Sequence, residues 1–479
     1  EGLKERENTK TKREMATATH TSQHDAAAHA SVRPPLPPPA GPDAETAEYT
    51  PGVFYPTAAR RLWFTTHVSD DHTDREIKRL PNTFFFSSTI PESYQAFCDD
   101  FGPVDIRQVV NFVREVHTRM TFPAIKHRLL VFYTYDHPHC VTNSVFLLCA
   151  YLMLVEGFSP AEAFAPFQSV FKMPIKPFHD ATHARSTYPL TVLDCLSGLQ
   201  RATSLGWFDW KTFDTAAYDS LYDQDTHDIC RVSPHFVALA TPKDEADKFT
   251  CKRDASSHVP LLKSLGVTNV VRLNEGSCYD EDAFVREGIR YHPLEFADCT
   301  TPPPELVKSF LDLAGEARGA DGVVAVHCLA GLGRTGTLIG ISLIKEQGFS
   351  AAEAIGWMRL VRPGSVIGVQ QQYLSQIQGV EWQGNWPCNA PAHGSRSSKR
   401  VCWWDAASVE AGKAQALGAP VSAMPNREQP AFDQLAADDV SFPGAGDKRP
   451  GCEVSPRVLA MQVQLGQSQR HRKKAGDVL

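Results

Sequence analysis

The sequence lacks several features that mark specialised classes of protein. Its 12 cysteines include no Cys-x-x-Cys pair, and its 479 residues show no apolar leader with a cleavage site. We therefore expect free thiols in a reducing compartment. The longest apolar run, residues 145–155, is too short to cross a bilayer and predicts a buried helix. A net charge of −7 argues against a nucleic-acid partner.

Composition divides the chain into five parts. Residues 1–51 are rich in Lys, Glu, Thr, Ala and His, and residues 386–479 in Gly, Ala, Ser, Gln and Asp, so we predict two disordered tails. Basic clusters at 396–400 and 470–474 are either nuclear import signals or ordinary solvated residues. Between the tails we predict a domain at 52–206, a linker at 207–232 and a second domain at 233–385.

The most informative stretch is V-V-A-V-H-C-L-A-G-L-G-R-T-G-T, residues 323–337. An apolar run stops at Cys328, five residues lead to Arg334, and an apolar helical pattern follows. This order predicts a strand, a loop of phosphate size and a helix start. The backbone N–H groups of the loop can converge on one anion, and the helix N-terminus adds its positive dipole. The predicted phosphate-binding residues are Leu329, Ala330, Gly331, Leu332 and Gly333.

The same stretch supplies candidate catalytic residues. Cys328 is the nucleophile, and Arg334 would bind two phosphate oxygens with its planar guanidinium. Thr335 would donate its hydroxyl to the sulfur when the phosphoenzyme breaks down, and His327 would orient the loop through hydrogen bonds. The alternative is a buried structural cysteine. It is disfavoured because strand, cysteine, glycines, arginine and helix follow in the order that the chemistry needs.

An internal repeat relates the two domains. G-F-S-P-A-E-A at 157–163 and G-F-S-A-A-E-A at 348–354 align at an offset of 191, and both contain the Ser-x-x-Glu capping box. The offset places His137 opposite Cys328 and Asn143 opposite Arg334. We infer a duplicated α/β fold whose first copy keeps the strand, turn and helix but is catalytically inactive. A metal site at residues 136–140 is the alternative, but no second ligand pair has suitable spacing, so we expect neither metal nor cofactor.

The string His-Cys-x5-Arg-Thr resembles the cysteine-dependent phosphatases. A-G-L-G-R-T-G-T-L-I at 330–339 and R-P-G-S-V-I-G at 362–368 are similar to the cell-division-cycle-fourteen family of dual-specificity phosphatases, over about residues 52–385. The resemblance implies tandem phosphatase-like domains, the first inactive and the second catalytic. Leu329 stands where that family usually has lysine. Residues 178–181 and 188–196 also look like the family's first domain, and we expect them to face its partner domain.

A general acid is needed opposite the cysteine, because a serine oxygen leaves poorly as an alkoxide. Asp298 follows the predicted strand 289–296, stands thirty residues before Cys328 and matches the family's Phe-x-Asp-x-x-Thr-Pro acid. The alternative is that it caps the helix beginning near Pro303. Related enzymes position the attacking water with a glutamine. The sequence does not distinguish Gln370, Gln371 and Gln372, and our candidate is Gln371.

The linker is acidic and by itself predicts a solvated helix face. The resemblance implies that it forms one wall of an acidic groove, which attracts substrates with Lys or Arg after the phosphosite. Asp219 and Asp228 fall on acidic positions of that wall, and Tyr222 replaces a third. The neutral side chains of the phosphate loop favour a protein substrate over a polyphosphorylated lipid.

The resemblance also implies a substrate class and cellular roles. The expected partners are phosphoproteins with Ser/Thr-Pro sites made by cyclin-dependent kinases, with phosphotyrosine also hydrolysed. Expected roles are mitotic exit, cytokinesis or cilia, in nucleus and cytoplasm and at the nucleolus, centrosome, spindle or basal body. One rival is a substrate-trapping or scaffold pseudophosphatase, disfavoured by the intact Cys328, Arg334 and Asp298. Another is a tyrosine or phosphoinositide phosphatase with the same loop.

Overall fold

The computed structural model describes residues 49–67, 69–170, 172–243, 254–276 and 279–380. The predicted disordered tails lie outside this range except for residues 49–51, and both basic clusters lie outside it. Within the described ranges, no helix combines the length and apolar character needed to span a bilayer.

The first half of the described chain is a four-stranded sheet covered by helices. Its strands are β1 (Tyr55–Pro56), β2 (Leu62–His67), β3 (Thr83–Phe86) and β4 (Leu129–Tyr135). Its helices are α1 (Asp70–Arg79), α2 (Ile106–Thr121), α3 (Pro138–Leu154), α4 (Pro160–Ala165) and α5 (Val192–Ser204), with a 3-10 turn at Ile90–Glu92 and a π-helical turn at Pro166–Val170. The strand order is β1-β2-β4-β3, with β2, β4 and β3 parallel. Helix α3 is buried almost all round, which confirms the buried helix predicted at 145–155.

The second half follows the linker helix α6 (Thr215–Tyr222) and is built around a five-stranded sheet. Its strands are β5 (Ile229–Ser233), β6 (Phe236–Ala240), β7 (Val267–Arg272), β8 (Arg290–Pro293) and β9 (Val323–Cys328). Its helices are α7 (Ala255–Ser264), α8 (Asp282–Arg286), α9 (Pro304–Gly319), α10 (Gly333–Gln347), α11 (Ala351–Val361) and α12 (Val369–Gln378). The order is β5-β6-β9-β7-β8, and every residue of β9 is buried.

The two sheets share one topology, which confirms the predicted duplication. Strands β1-β2-β4-β3 correspond to β5-β6-β9-β7, and the second sheet adds the edge strand β8. Both predicted capping boxes form, at Ser159 with Glu162 and at Ser350 with Glu353. Because each serine side chain accepts from the glutamate N–H while the glutamate reaches back, both helix starts are set locally.

The connection after the central strand differs between the copies. Only residues 136–137 separate β4 from α3, whereas residues 329–332 separate β9 from α10. The expectation that the first copy keeps the turn of the second is therefore wrong.

Strand β8 is shorter than the sequence predicts. It covers only Arg290–Pro293 of the predicted strand 289–296. Beyond Pro293 the Leu294 N–H still donates to the Arg272 carbonyl oxygen at 2.8 Å and the Phe296 N–H to the Leu273 carbonyl oxygen at 3.2 Å, so contacts with the β7 side lead the chain toward Asp298.

The two halves pack through helices α5 and α11. A Cβ on Gly198 would lie 2.4 Å from the Glu353 carbonyl oxygen, so the helix backbones approach closely at this crossing. Beside it, the Asp180 carboxylate accepts a hydrogen bond from the Gly368 N–H at 2.8 Å. A Cβ on Gly356 of α11 would lie 2.8 Å from the Cα of Cys195, so residues 178–181 and 188–196 both contact the partner domain, as expected.

Candidate active site

The loop after Cys328 has a backbone shape that requires glycine. Cys328 ends the central strand β9 and is 3% exposed, and α10 begins at Gly333. Gly331 has φ +64°, in the left-handed region, and a Cβ there would lie 2.1 Å from the Leu239 carbonyl oxygen. The neighbouring strand β6 therefore leaves room only for glycine at this position.

Thr241 binds the first half of the loop from outside. Its hydroxyl donates to the Cys328 carbonyl oxygen at 2.5 Å, and its N–H donates to the Leu329 carbonyl oxygen at 3.0 Å. Thr241 comes directly after Ala240, the residue that pairs with Cys328 between β6 and β9. The sequence analysis missed this residue, since only the strand register brings it to the loop.

Arg362 binds carbonyl groups in the second half of the loop. Its Nε donates to the Gly331 carbonyl oxygen at 2.8 Å, and its NH2 donates to the Ala330 carbonyl oxygen at 3.1 Å. Four successive carbonyl groups, those of residues 328–331, are thus bound outside the loop. In a trans peptide unit the N–H points opposite to the C=O, so the N–H groups of residues 329–332 turn toward the interior. That arrangement is a nest for an anion.

Arg334 lies beneath the nest, with a side chain only 2% exposed. Its NH1 donates to the Glu275 carboxylate at 2.7 Å and to the Phe296 carbonyl oxygen at 2.9 Å. Burial lowers the pKa of this guanidinium, but the nearby Cys328, Asp298 and Glu275 outweigh it and raise the pKa overall. Arg334 is therefore a cation held in place from one edge.

Asp298 lies next to this arginine. Its Oδ1 is 3.2 Å from the Arg334 Nε, an ion-pair distance without hydrogen-bond alignment of that N–H. The side chain of Asp298 is 23% exposed, and the following Cys299 has φ +56°. The alternative role as a helix cap is wrong, because α9 begins at Pro304 and its N-cap is Pro303. The structure thus brings Asp298 to the phosphate nest rather than to the helix.

His327 directly precedes Cys328 and Thr335 directly follows Arg334, and both are fully buried. The His327 ring contacts the Thr241 hydroxyl at 3.1 Å through Nδ1 and the Tyr279 hydroxyl at 2.7 Å through Nε2. Burial lowers the pKa of His327 to about 3, so the ring is neutral near pH 7. Among the described residues the Thr335 hydroxyl has no hydrogen-bond partner, and its bond to the sulfur during breakdown of the phosphoenzyme stays a prediction.

The three candidate glutamines point to different places. Gln371 is buried away from the loop, where its Oε1 accepts from the Arg359 guanidinium at 2.7 Å. Gln372 donates to the Thr187 hydroxyl at 2.6 Å on the other half of the chain. Gln370 donates to the Thr300 carbonyl oxygen at 3.1 Å, and its Oε1 would lie 2.9 Å from a Cβ on Gly333. The candidate Gln371 is therefore corrected to Gln370, which touches both the phosphate loop and the turn that carries Asp298.

The corresponding place in the first half is filled by its own side chains. His137 is the N-cap of α3 rather than part of a loop. The Asn143 amide donates to the Phe101 carbonyl oxygen at 2.8 Å, and the Phe101 ring stacks on His139 with centroids 3.9 Å apart. Within the described part of this copy, neither a loop like 329–332 nor an arginine at the place of Arg334 is present, so these residues form no phosphate nest. Among the described residues, no group of three or more His, Cys, Asp or Glu is placed to hold a metal.

The first half nevertheless borders the nest of the second. Phe97 and Ala181 from the first half form one buried apolar cluster with Leu332 and Ile367. Ala330 packs against the same cluster. One wall beside the phosphate loop is therefore apolar and comes from the inactive copy.

An acidic cavity of about 340 Å³ lies beyond Phe97, between the first half and the linker. Asp219, 52% exposed, lines it and lies 3.2 Å from the Arg107 Nε. Its other lining residues include Ser93, Tyr94, Gln95, Asp105, Gln108, Tyr222, Asp223, Gln224, Asp225 and Pro363. The linker thus contributes acids to a groove, with Arg107 as an unpredicted cation within it.

Asp228 is not part of that groove. It is buried, with φ +50°, and its carboxylate lies 3.1 Å from the NH2 of Arg362. A carboxylate already paired with a buried guanidinium cannot receive a basic residue of a substrate. The assignment of Asp228 to substrate binding is therefore wrong, and its place is behind the phosphate loop.

Comparisons with known proteins agree with this site. Residues 57–202 match the family described as the N-terminal half of dual specificity protein phosphatases. Residues 249–374 match the phosphatase domain of the DSP-PTPase type described for the Swiss Army Knife protein. The fold and the site therefore define a protein with two tandem domains of the dual-specificity-phosphatase class.

Relatives narrow the class further. The chain is 32% identical to human dual specificity protein phosphatase CDC14C over 309 residues, which cover 64% of this chain and 68% of that protein. It is 32% identical to human CDC14A, in a match that covers 78% of this chain and 62% of that protein. It is 36% identical to the CDC14 homolog of Schizosaccharomyces pombe, in a match that covers 61% of this chain and 56% of that protein. The chain belongs to the CDC14 family, which confirms the resemblance. It spans between half and two thirds of the length of relatives such as CDC14A.

Proposed function

We propose that the chain is a metal-independent protein phosphatase that hydrolyses phosphoserine, phosphothreonine and phosphotyrosine through a phosphocysteine. The observation that carries this proposal is the nest: four carbonyl groups are bound outside the loop, with Arg334 and Asp298 beside it. Such a nest binds a phosphate dianion with inward N–H groups and places it at the sulfur of Cys328.

In the first step, the phosphate takes the place of Asp298 at the Nε edge of Arg334. The Cys328 thiolate attacks phosphorus, and the bond from phosphorus to the substrate oxygen breaks. Asp298 gives its proton to that oxygen, which leaves as an alcohol. The charge on the transferring phosphoryl group is met by Arg334 and the loop N–H groups.

In the second step, a water molecule held by Gln370 attacks the phosphocysteine. The Asp298 carboxylate takes the proton of that water, and the phosphorus–sulfur bond breaks to release phosphate and the Cys328 thiolate. Thr335 supports this step, since its buried hydroxyl is available to donate to the sulfur as charge returns to it.

Two surfaces support a protein substrate. The apolar wall of Phe97, Ala181, Leu332 and Ile367 suits a proline after the phosphosite, and the acidic cavity around Asp219 suits a basic residue nearby. Neutral Leu329, Ala330 and Leu332 argue against a polyphosphorylated lipid. By its family we extend the proposal to sites made by cyclin-dependent kinases, with roles in cell-cycle exit, cytokinesis or cilia, in nucleus and cytoplasm.

The test is phosphate release, with a metal chelator present, from a phosphoserine-proline-x-lysine peptide, a phosphotyrosine peptide and a phosphoinositide. Wild type should release phosphate from both peptides, and Cys328→Ser should release none. Turnover of the lipid alone would overturn the substrate class. Binding of the phosphopeptide without turnover by wild type would support the substrate-trapping alternative instead.

A further inference from the structure

Glu275 contacts the phosphate-binding arginine of the proposed machinery. It lies on the turn after β7, the strand that pairs with β9, and its side chain is 56% exposed. Its Oε2 is 2.7 Å from the NH1 of Arg334. The same NH1 donates to the carbonyl oxygen of Phe296, on the turn that carries Asp298, at 2.9 Å. The exposed carboxylate and the turn that carries the general acid thus hold the same nitrogen of the phosphate-binding arginine.

The contacts of Arg334 set the orientation of its guanidinium. NH1 is shared by Glu275 and by the carbonyl oxygen of Phe296, two residues before Asp298. The guanidinium is planar and rigid, so holding NH1 fixes where the Nε edge points. That edge now faces Asp298 at 3.2 Å and is the one that a phosphate would use.

Glu275 keeps its charge near neutral pH. Partial burial raises the pKa of its carboxyl, but hydrogen bonds from Arg334 and from the backbone N–H groups of Glu275 and Asp298 lower it overall. A charged acceptor makes the bond from Arg334 stronger than a neutral one would be.

We propose that Glu275 is a positioning residue that fixes Arg334 relative to the turn that carries Asp298. The phosphate ester bound by Arg334 is then correctly placed for its leaving oxygen to receive the proton of Asp298. The inference rests on the proposed function. It adds that loss of Glu275 weakens general-acid catalysis although Glu275 does not touch the reacting atoms.

The experiment compares two aryl phosphates that differ in their need for a proton. Phenyl phosphate has a poor leaving group and depends on the acid, whereas para-nitrophenyl phosphate has a good one and depends on it less. Glu275→Ala should lower kcat/KM for phenyl phosphate by about tenfold or more, with a clearly smaller loss for para-nitrophenyl phosphate. Glu275→Gln, which keeps one acceptor oxygen, should fall between wild type and Glu275→Ala.

The matched control is Glu287→Gln. Glu287 has a similarly exposed side chain, 55%, and pairs with Lys263 at 3.0 Å on the outer surface. This variant should match wild type on both substrates. In an Asp298→Asn background, Glu275→Ala should no longer change the ratio between the two substrates, because the two residues act as one unit.

Three outcomes would overturn the inference: no change in Glu275→Ala, an equal loss on both substrates, or a full further change of the ratio in the Asp298→Asn background. An inert wild type would instead overturn the proposed function. Because wild-type turnover is measured in the same series, the two failures are distinguishable.

Discussion

The Nε of Arg362 donates to the carbonyl oxygen of Gly331 at 2.8 Å. The same guanidinium lies 3.1 Å from the buried Asp228 carboxylate, and its NH1 donates to the Asp228 carbonyl oxygen at 3.2 Å. The phosphate loop is therefore fixed to the interdomain linker through one buried cation. Linker and loop are parts of a single site, although about a hundred residues separate them in sequence.

Removing that cation should destabilise the fold and disorder the nest. Arg362→Ala removes the guanidinium beside the buried Asp228 carboxylate and its bonds to the Ala330 and Gly331 carbonyl oxygens, so we expect a loss of about 3–5 kcal/mol in unfolding free energy. Urea unfolding measures this change in unfolding free energy. Arg286→Ala, which removes an exposed pair with Asp280, should leave the midpoint almost unchanged. Equal midpoints for the two variants would contradict the structural role of Arg362.

Gly331→Ala should abolish turnover. The substitution adds strain at φ +64° and places a Cβ 2.1 Å from the Leu239 carbonyl oxygen, so the loop must move. Gly288→Ala is the control, since Gly288 has φ +80° but nothing within 4 Å of its added Cβ. It should lose only about 1–2 kcal/mol of stability from the left-handed backbone and retain activity. Similar activity in both variants would show that the contact with β6 does not shape the loop.

Substitutions of Gln370 and of Gln371 should have different effects on hydrolysis of the phosphocysteine. Gln370→Ala should slow hydrolysis of the phosphocysteine by about tenfold, visible as a burst of para-nitrophenol followed by a slow phase. Gln371→Ala removes one of the acceptors of Arg359 and should lower thermal stability without producing a burst. A burst in Gln371→Ala alone would restore the assignment made from sequence.

Arg107 should weaken recognition of basic substrates. It lies 3.2 Å from Asp219, so a lysine of the substrate has to compete with it for that carboxylate. Arg107→Ala should raise the ratio of kcat/KM for a phosphoserine-proline-x-lysine peptide over its alanine counterpart by about two- to fivefold, and more at low salt. Arg79→Ala, which breaks the pair with Glu76 on α1, should leave the ratio unchanged. An unchanged ratio in Arg107→Ala would exclude competition for Asp219.

His327 should contribute to the loss of unfolding free energy at acid pH. Its pKa is lowered from the ordinary 6.5 to about 3 in the folded state, so between these values the unfolded chain binds a proton that the folded chain does not. Unfolding free energy should therefore fall as pH drops from 6.5 toward 3. His327→Gln should flatten that slope in urea titrations. An unchanged slope in His327→Gln would show that this ring does not titrate on unfolding.

Local patterns predicted much of the fold correctly. The capping boxes at Ser159 and Ser350 and the buried helix α3 are set by residues within four positions of one another or by one apolar run. The strand, loop and helix around Cys328 are likewise contiguous. Such features depend on backbone geometry and side-chain spacing, which a sequence displays directly.

The predictions that were wrong or missing concern contacts that only the tertiary structure sets. Gln370 and Gln371 are neighbours on α12 and differ only in the direction each side chain takes from the helix. Asp228 has the composition of a groove acid, yet its left-handed backbone turns it toward Arg362. The role of the first copy as a wall, through Phe97 and Ala181, depends on how the two halves pack.

The sequence by itself determined the chemistry of the site, since nucleophile, glycines and arginine occupy one continuous stretch whose spacing suits a phosphate. It also determined the duplication and the loss of nucleophile and cation in the first copy. Only the tertiary structure decided which groups hold that stretch in shape, namely Thr241, Arg362 and Glu275, and which glutamine reaches it. The reason is physical: these contacts join residues from different strands and turns, and their partners are set by sheet register and helix packing rather than by neighbours along the chain.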